Sequence, residues 1–224
     1  MDLSKSYEFF QPEMCKERIH IIGCGSVGST LAELLARFGL TKISLYDFDI
    51  VEPHNIVNQM FTQLDVGKPK VEAVAARMEA INPLVKPDIR KISEGWKPGT
   101  KLTGYIFLAV DNIELRHQIV KENMYNPFIK GMFDFRTRLV DAQHYAADWT
   151  QQRQKDGFIR SMEFTHDEAK AATPVSACNV ALSVAPTVWH VCLAGVCNFV
   201  NFVKGEPIRK IVLVNPFEGT VDAI

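Results

Sequence analysis

Arg18 to Gly39 reads RIHIIGCGSVGSTLAELLARFG. The apolar segment Ile19 to Ile22 runs straight into three glycines, Gly23, Gly25 and Gly28. Val27, Leu31, Leu34, Leu35 and Phe38 then recur at helical spacing. This predicts a strand, a tight turn and a helix from about Ser26 to Phe38. Gly23 allows the turn, Gly25 lets a phosphate approach the backbone, and Gly28 lets the helix pack closely on the strand. The helix N-terminus aims its N–H groups at the same place, so an anion is the expected ligand. A dinucleotide and ATP suit these donors equally, and GCGSVG alone is also compatible with a purely structural turn.

The flanking segments extend the pattern. KISLYDFD, residues 42–49, is a second strand. Its Asp47 lies about twenty residues beyond the glycine loop, where a carboxylate can accept both ribose hydroxyl hydrogens. KVEAVAARMEAINP, residues 70–83, is a helix ended near Pro83. A short strand is expected within Val85 to Ile92, and a stronger one in TGYIFLAVDN, ending in Asp111. Ile113 to Met124 reads as a helix stopped by Asn126-Pro127, and PFIKGMF as another strand. Strands alternating with crossover helices define an α/β chain with a Rossmann-like, doubly wound sheet and ligand loops at the strand carboxyl ends. Beyond it come an extended segment (RTRLVDAQHYAA), a short helix or loop (WTQQRQKDGF), an apolar helical region around Val180 to Val203, and a late hairpin in EPIRKIVLVNPFEGTVDAI. No repeat or linker interrupts the 224 residues, so one integrated domain is expected: a leader over 1–17, a nucleotide-binding core over 18–127 and a C-terminal region over 128–224.

Composition narrows the partners. Twenty-five Lys and Arg against twenty-six Asp and Glu leave a net charge of -1, which argues against non-specific nucleic-acid binding. Cys15, Cys24, Cys178, Cys192 and Cys197 form no CxxC pair, so a thiolate zinc site has no support. The first residues, MDLSKSYEFFQPEM, are polar and broken by Pro12, unlike a signal peptide. Pro186, Trp189, His190 and Asn198 interrupt the apolar region, which reads as core helix, with no transmembrane segment and a cytoplasmic location expected.

The stretch Asp47 to Phe61, DFDIVEPHNIVNQMF, narrows the chemistry. A hydride-transfer enzyme needs a second half-sheet for nicotinamide and an acid or base beside it. A nucleotidyl-transfer enzyme needs a metal carboxylate and several donors along a triphosphate. Asn55, Asn58, Gln59, Lys68, Lys70 and Asp111 are the second kind of set. Lys70 opens a helix, where the dipole gives a cation no advantage, and phosphate nearby would explain it.

Four blocks, IIGCGSVGSTLAELLARFG, LYDFDIVEPHNIVNQMF, DVGKPKVEAVAARMEAINP and FLAVDNIELR, together resemble the ThiF, MoeB and HesA-like adenylyltransferases related to ubiquitin-activating E1 enzymes. The resemblance spans roughly Arg18 to Arg116 and continues more weakly to the C-terminus. It implies ATP beside the glycine loop, Mg2+, adenylation of the C-terminal carboxylate of a ubiquitin-like or sulfur-carrier protein or a peptide, release of pyrophosphate, and a homodimer. It further implies that Asp47 binds ribose and that Asp49, Asn58, Gln59 and Asn112 line the same pocket. Asn55 would contact phosphate or the transition state, Lys70 the triphosphate, and Asp111 the magnesium ion. The 128–224 region would bind the acceptor and dimerise.

Two departures stand out. The family pattern Asn-Leu-x-Arg-Gln is here Asn55-Ile56-Val57-Asn58-Gln59, so an amide stands where a guanidinium would neutralise triphosphate. The leader also has no arginine before Arg18, and Lys5 and Lys68 are the substitutes in view. Arg116 either contacts nucleotide or holds its helix. Cys178, in a turn before an apolar helix, is the candidate thioester nucleophile, with a packed small residue as the alternative. Burial is expected for Cys192 and Cys197. Phe61, Phe133, Phe135 and Trp149 either line a path for the acceptor tail or pack in the core. A nucleotide-binding regulatory module with impaired catalysis and an NAD-dependent oxidoreductase remain as alternatives.

Overall fold

The structure, a computed structural model, describes residues 1–165, 167–168, 174–175 and 182–224. In chain order the elements are β1 (Ile19–Ile22), α1 (Ser26–Arg37), β2 (Ile43–Tyr46), α2 (Lys70–Ile81), β3 (Arg90–Ile92), β4 (Gly104–Leu108) and α3 (Ile113–Glu122). They continue with β5 (Ile129–Thr137), β6 (Ala142–Asp148), α4 (Gln152–Arg160), α5 (Ala185–Val203), β7 (Ile211–Asn215) and β8 (Thr220–Ala223). The strand expected within 85–92 shrinks to β3, because Pro83–Val85 closes into a 3-10 turn capped by Asn82.

All eight strands join one sheet in the order β3-β2-β1-β4-β5-β6-β7-β8. The first five are parallel, and β6 to β8 are antiparallel. Alternation along β4 and β5 sorts the two faces. Phe107, Phe133 and Phe135 meet Phe199 of α5 in one apolar cluster that also holds the inner faces of α1 and α2. Ile106, Leu108 and Met132 point the other way, into a second cluster with Ile119 and Val120 of α3 and Phe158 of α4. The sheet is therefore covered on both sides, as expected, and the order reverses between β1 and β4. In such sheets a ligand binds outside the carboxyl ends of the strands at that reversal.

Helix α5 is long and apolar enough by composition to cross a membrane, yet half of it is buried against the sheet and α1. Its buried positions are Val188, Val191, Cys192, Val196 and Phe199, while Trp189, Leu193 and Cys197 face outward. Five helical residues turn about 500°, so Cys192 and Cys197 stand roughly 140° apart and only Cys192 is buried. This corrects the expectation that both thiols are buried.

Two buried histidines tie stability to pH. His144 lies between Phe133 and Phe135; its Nδ1 hydrogen goes to the Asp134 carbonyl at 3.2 Å, which leaves Nε2 to accept from Asn198 Nδ2 at 3.1 Å. His20 meets the Tyr46 hydroxyl at 2.9 Å. Burial pushes both rings down to about 4, with Arg18 and Arg90 adding to the effect at His20. In the unfolded chain each titrates near 6.5. Between pH 6.5 and 4 the unfolded state therefore holds more protons, so these histidines' contribution is intact above pH 6.5 and lost as pH falls toward 4. The expected loss from pH 7 to pH 5 is roughly 3 to 4 kcal/mol for the two together. Denaturant titrations at the two pH values check it, and a flat profile would contradict their burial as neutral rings.

Candidate nucleotide-binding site

The glycine loop follows directly from its sequence. Gly23 has φ +98, the left-handed region that favours glycine, and a Cβ there would lie 2.7 Å from the Ala109 carbonyl oxygen. At Gly28 a Cβ would sit 1.8 Å from the Gly23 carbonyl oxygen, so its absence is what lets α1 lie on the turn. A Cβ on Gly25 would meet nothing within 4 Å among the described residues. Gly25 caps α1 with no side chain, and the first intrahelical bond to its carbonyl comes from Ser29 N–H. The N–H groups of Ser26, Val27 and Gly28 thus lack intrahelical partners, the arrangement a phosphate uses.

Around this turn the parallel register gathers the other candidates. Gly23 N–H donates to the Tyr46 carbonyl at 2.8 Å and Ala109 N–H to the Ile22 carbonyl at 2.8 Å, which brings the exits of β1, β2 and β4 together. Asp47, at the β2 exit, accepts from Cys24 N–H at 2.6 Å through Oδ2 and from Asp49 N–H at 2.9 Å through Oδ1. Burial raises its carboxyl above the ordinary value, against the pull of those two N–H groups and Lys70. Asp49 also meets Lys70 twice: its carbonyl accepts the Lys70 N–H at 2.9 Å, and its Oδ2 takes the ammonium at 2.7 Å. The Lys70 side chain is 9% exposed and that of Asp49 50%, so the partner able to swing into solvent is the carboxylate.

Asn55 is buried in a 3-10 turn, Pro53–Val57, where its Oδ1 accepts the Glu52 N–H at 2.9 Å. Among the described residues no acceptor takes its amide hydrogens. Asn58 caps that turn half-buried, and Gln59 beside it has a buried Oε1 with no partner. Met60 N–H donates to Ser29 Oγ at 3.0 Å, fastening this segment to α1. At the β4 exit Asp111 is exposed and makes no hydrogen bond among the described residues. Asn112 spends its Oδ1 capping α3, accepting Leu115 N–H at 2.9 Å. Gly23, Gly25, Asp47, Asp49 and Asp111, in loops, and Gly28 and Lys70, in the first turns of α1 and α2, thus lie beyond the carboxyl ends of the parallel strands.

Within one chain the leader does not join them. Leu3 and Pro12 lie over Gly39, and Phe10 packs edge-on to Phe38 at 5.7 Å. The leader, Lys5 included, is therefore docked at the C-terminal end of α1, about 18 Å from its N-terminal end. Lys68 is paired with Asp65 at 3.1 Å. Arg116 has the holding role: it binds the Val110 carbonyl and the buried Asp134. Phe61, Phe133, Phe135 and Trp149 are all buried in the core, where their size does more than it would along a tail path. Burial pushes the Cys15 thiol up to about 12 and holds those of Cys24 and Cys192 well above the ordinary thiol value, which disfavours the nucleophilic thiolate in all three. Cys178 lies outside the described residues. None of the described residues forms a His/Cys/Asp/Glu cluster of three that would hold a metal by itself.

Asp134 and Arg136 were not among the expected site residues. They stand two apart on β5, hence on one face, at the end of the otherwise apolar run GMFDFR, residues 131–136. That pair of charges facing the core was the available signal.

Residues 3–217 match the ThiF family. Ubiquitin-like modifier-activating enzyme 5 of Drosophila willistoni is 33% identical over 151 residues, covering 59% of this chain and 36% of that protein. The enzyme of the same name from Culex quinquefasciatus is 31% identical over 134 residues, covering 53% and 33%. The chain thus spans about a third of the length of these curated relatives. Among solved structures, PaaA matches with a TM-score of 0.71 at 18% identity, covering 100% of this chain and 68% of that one. E. coli MccB with ATP matches with a TM-score of 0.70 at 17% identity, covering 95% and 65%. The structural matches share the fold of this sheet, and the family match takes in the glycine loop, Lys70 and Asp111 together: the chain belongs to the ThiF family.

Proposed function

We propose that this chain is an ATP-dependent adenylyltransferase that activates the C-terminal carboxylate of a ubiquitin-like protein, a sulfur-carrier protein or a peptide. The observation that carries the reading is Lys70: a buried side chain whose ammonium is held at 2.7 Å by a half-exposed Asp49, close enough to Asp47 and to Cys24 of the glycine turn to act on both electrostatically. The names of the relatives support it, as does the fold shared with MccB, which was solved with ATP and with its peptide MccA.

In this reading the uncapped start of α1 holds phosphate and Asp47 accepts the ribose hydroxyls. Lys70 exchanges Asp49 for the triphosphate, and Asn55, whose amide hydrogens have no protein acceptor among the described residues, donates to the reacting phosphoryl group. The acceptor carboxylate attacks the α-phosphorus; an acyl O–P bond forms, the bond to the β-phosphate oxygen breaks, and pyrophosphate leaves. A carboxylate is already ionised at neutral pH, so positioning and charge stabilisation carry the reaction rather than proton transfer. Asp111 suits Mg2+, being an exposed carboxylate at the β4 exit with no donor among the described residues. A bound magnesium ion would withdraw charge from the phosphate oxygens.

The strand order favours ATP over a nicotinamide dinucleotide. After β5 the sheet turns antiparallel, so the second parallel half that would hold nicotinamide is replaced by β6 to β8. Asn58 supports a second reading, a nucleotide-binding module with impaired catalysis. Isotope exchange between pyrophosphate and ATP, dependent on carrier proteins ending in Gly-Gly, separates the two. Exchange by the wild-type chain supports the adenylyltransferase. ATP binding with no exchange, restored by Asn58→Arg, supports the impaired module, and absence of exchange from both variants with a verified carrier sinks the first reading.

A homodimer is part of the proposal. The outward face of α5, with Trp189 and Leu193 each about half exposed beside Cys197, is its suggested interface. Sedimentation at the mass of one chain at micromolar concentration would exclude it.

A further inference from the structure

Between β4 and α3 the chain passes through Ala109, Val110 and Asp111. The Val110 carbonyl is held by a side chain: Arg116 donates to it from Nε at 2.6 Å and also from Nη2. The third arm of the same guanidinium, Nη1, donates to Asp134 Oδ1 at 2.6 Å. Asp134 is fully buried on β5, level with Leu108 at the end of β4. Its Oδ2 accepts from Arg136 Nε at 2.6 Å. Arg136 in turn donates to the Ser161 carbonyl at 2.7 Å and to Ser161 Oγ at 3.0 Å, just past α4, and lies over the Tyr145 ring at 4.1 Å.

Packing alone does not ask for a carboxylate here. Ile106, Leu108 and Met132 on the same face of the sheet are apolar, and buried ion pairs seldom stabilise a fold more than well-packed apolar side chains would. What the carboxylate supplies is direction. Each oxygen takes one arginine, so the two guanidinium planes are fixed, and a planar fork can reach a carbonyl and a carboxylate at once where an ammonium cannot. The carbonyl so held belongs to the residue immediately before Asp111.

We propose that Asp134 is a positioning residue for Asp111: clasped between Arg116 and Arg136, it fixes the Val110 carbonyl and thereby the aim of the Asp111 carboxylate, and ties that loop to the end of α4. The proposal rests on the ATP and Mg2+ reading of the site. Asp134 touches neither ligand; its effect passes through Arg116 and the backbone.

Calorimetric titration with ATP, once in excess Mg2+ and once in EDTA, tests it on the wild-type chain, Asp134→Asn and Arg116→Lys. The wild-type chain is expected to bind ATP more tightly with Mg2+. In both variants that gain should shrink by roughly 10- to 100-fold, the range for residues that orient a metal ligand, while affinity in EDTA changes less than about two-fold. If Asp134→Asn does not fold, Arg116→Lys decides alone, since it keeps the buried charge. Retention of the full Mg2+ gain in a folded variant, or equal losses in both buffers, would overturn the positioning role. A wild-type chain that binds ATP but gains nothing from Mg2+ overturns it too and leaves ATP binding standing. A wild-type chain that binds no ATP in either buffer overturns the functional reading and, with it, the role of Asp134.

Discussion

Replacing Lys70 with Ala is expected to lower carrier-dependent pyrophosphate exchange by about 10²- to 10³-fold, the range for removing one preorganised electrostatic group from a reacting site. The size follows from where the ammonium sits. Its side chain is 9% exposed, so the charge acts with little competing water, and Asn58 takes the position where the family pattern carries a second cation. Stability should change far less. The partner left behind, Asp49, is 50% exposed and returns to solvent, and ion pairs with so exposed a partner contribute about 1 kcal/mol or less. Equal thermal midpoints for the two proteins, with exchange lost in one, assign the deficit to charge. Should Lys70→Ala keep more than about a third of the wild-type exchange rate, Lys70 does not serve the triphosphate, against a deficit expected from its electrostatic role.

The glycine loop offers a second large effect, because two of its glycines are glycine for different reasons. In Gly28→Ala the new Cβ would lie 1.8 Å from the Gly23 carbonyl oxygen, a backbone atom fixed by the sheet on one side and α1 on the other. Either α1 lifts or the turn opens, and overpacking of this kind costs about 1 to 3 kcal/mol or more. Both stability and nucleotide binding should fall. In Gly25→Ala the new methyl meets no atom of the described residues within 4 Å and φ stays negative at -77, so the fold bears it far better than the change at Gly28. It occupies the space through which phosphate reaches the N–H groups of α1. ATP affinity should fall at least about ten-fold with the melting temperature unchanged, a loss near 1.4 kcal/mol confined to binding. Thermal melts and ATP titrations on the two variants check the contrast. If Gly25→Ala binds ATP as the wild type does, the phosphates lie elsewhere.

Much of this site was legible without coordinates because its parts are local. Strand, glycine turn and helix are neighbours in sequence, so spacing alone places Gly23, Gly25 and Gly28. Asp47 and Asp111 each end an apolar run, and a residue at the end of a strand in a doubly wound sheet faces the ligand edge wherever that strand lies. The aromatic residues were ambiguous for the opposite reason. Phe133 and Phe135 alternate with Met132 and Asp134, and either set could have faced a groove until α5 was seen to cover one face and α3 the other. The two thiols of α5 show the same limit: an apolar neighbourhood in sequence does not say which side of a helix meets the sheet.

By itself, then, the sequence determined the order of strands and helices along the chain, the glycine turn, the acidic residues at strand ends and the lysine at the start of α2, all of which depend on short-range spacing and backbone geometry. Tertiary structure decided the pairings: Lys70 with Asp49 across 21 residues, Arg116 with Asp134 across 18, and the leader with the far end of α1. The physical reason is that a charge can be placed by its own strand or helix, whereas its partner is chosen by the packing of elements that meet only when the sheet is assembled.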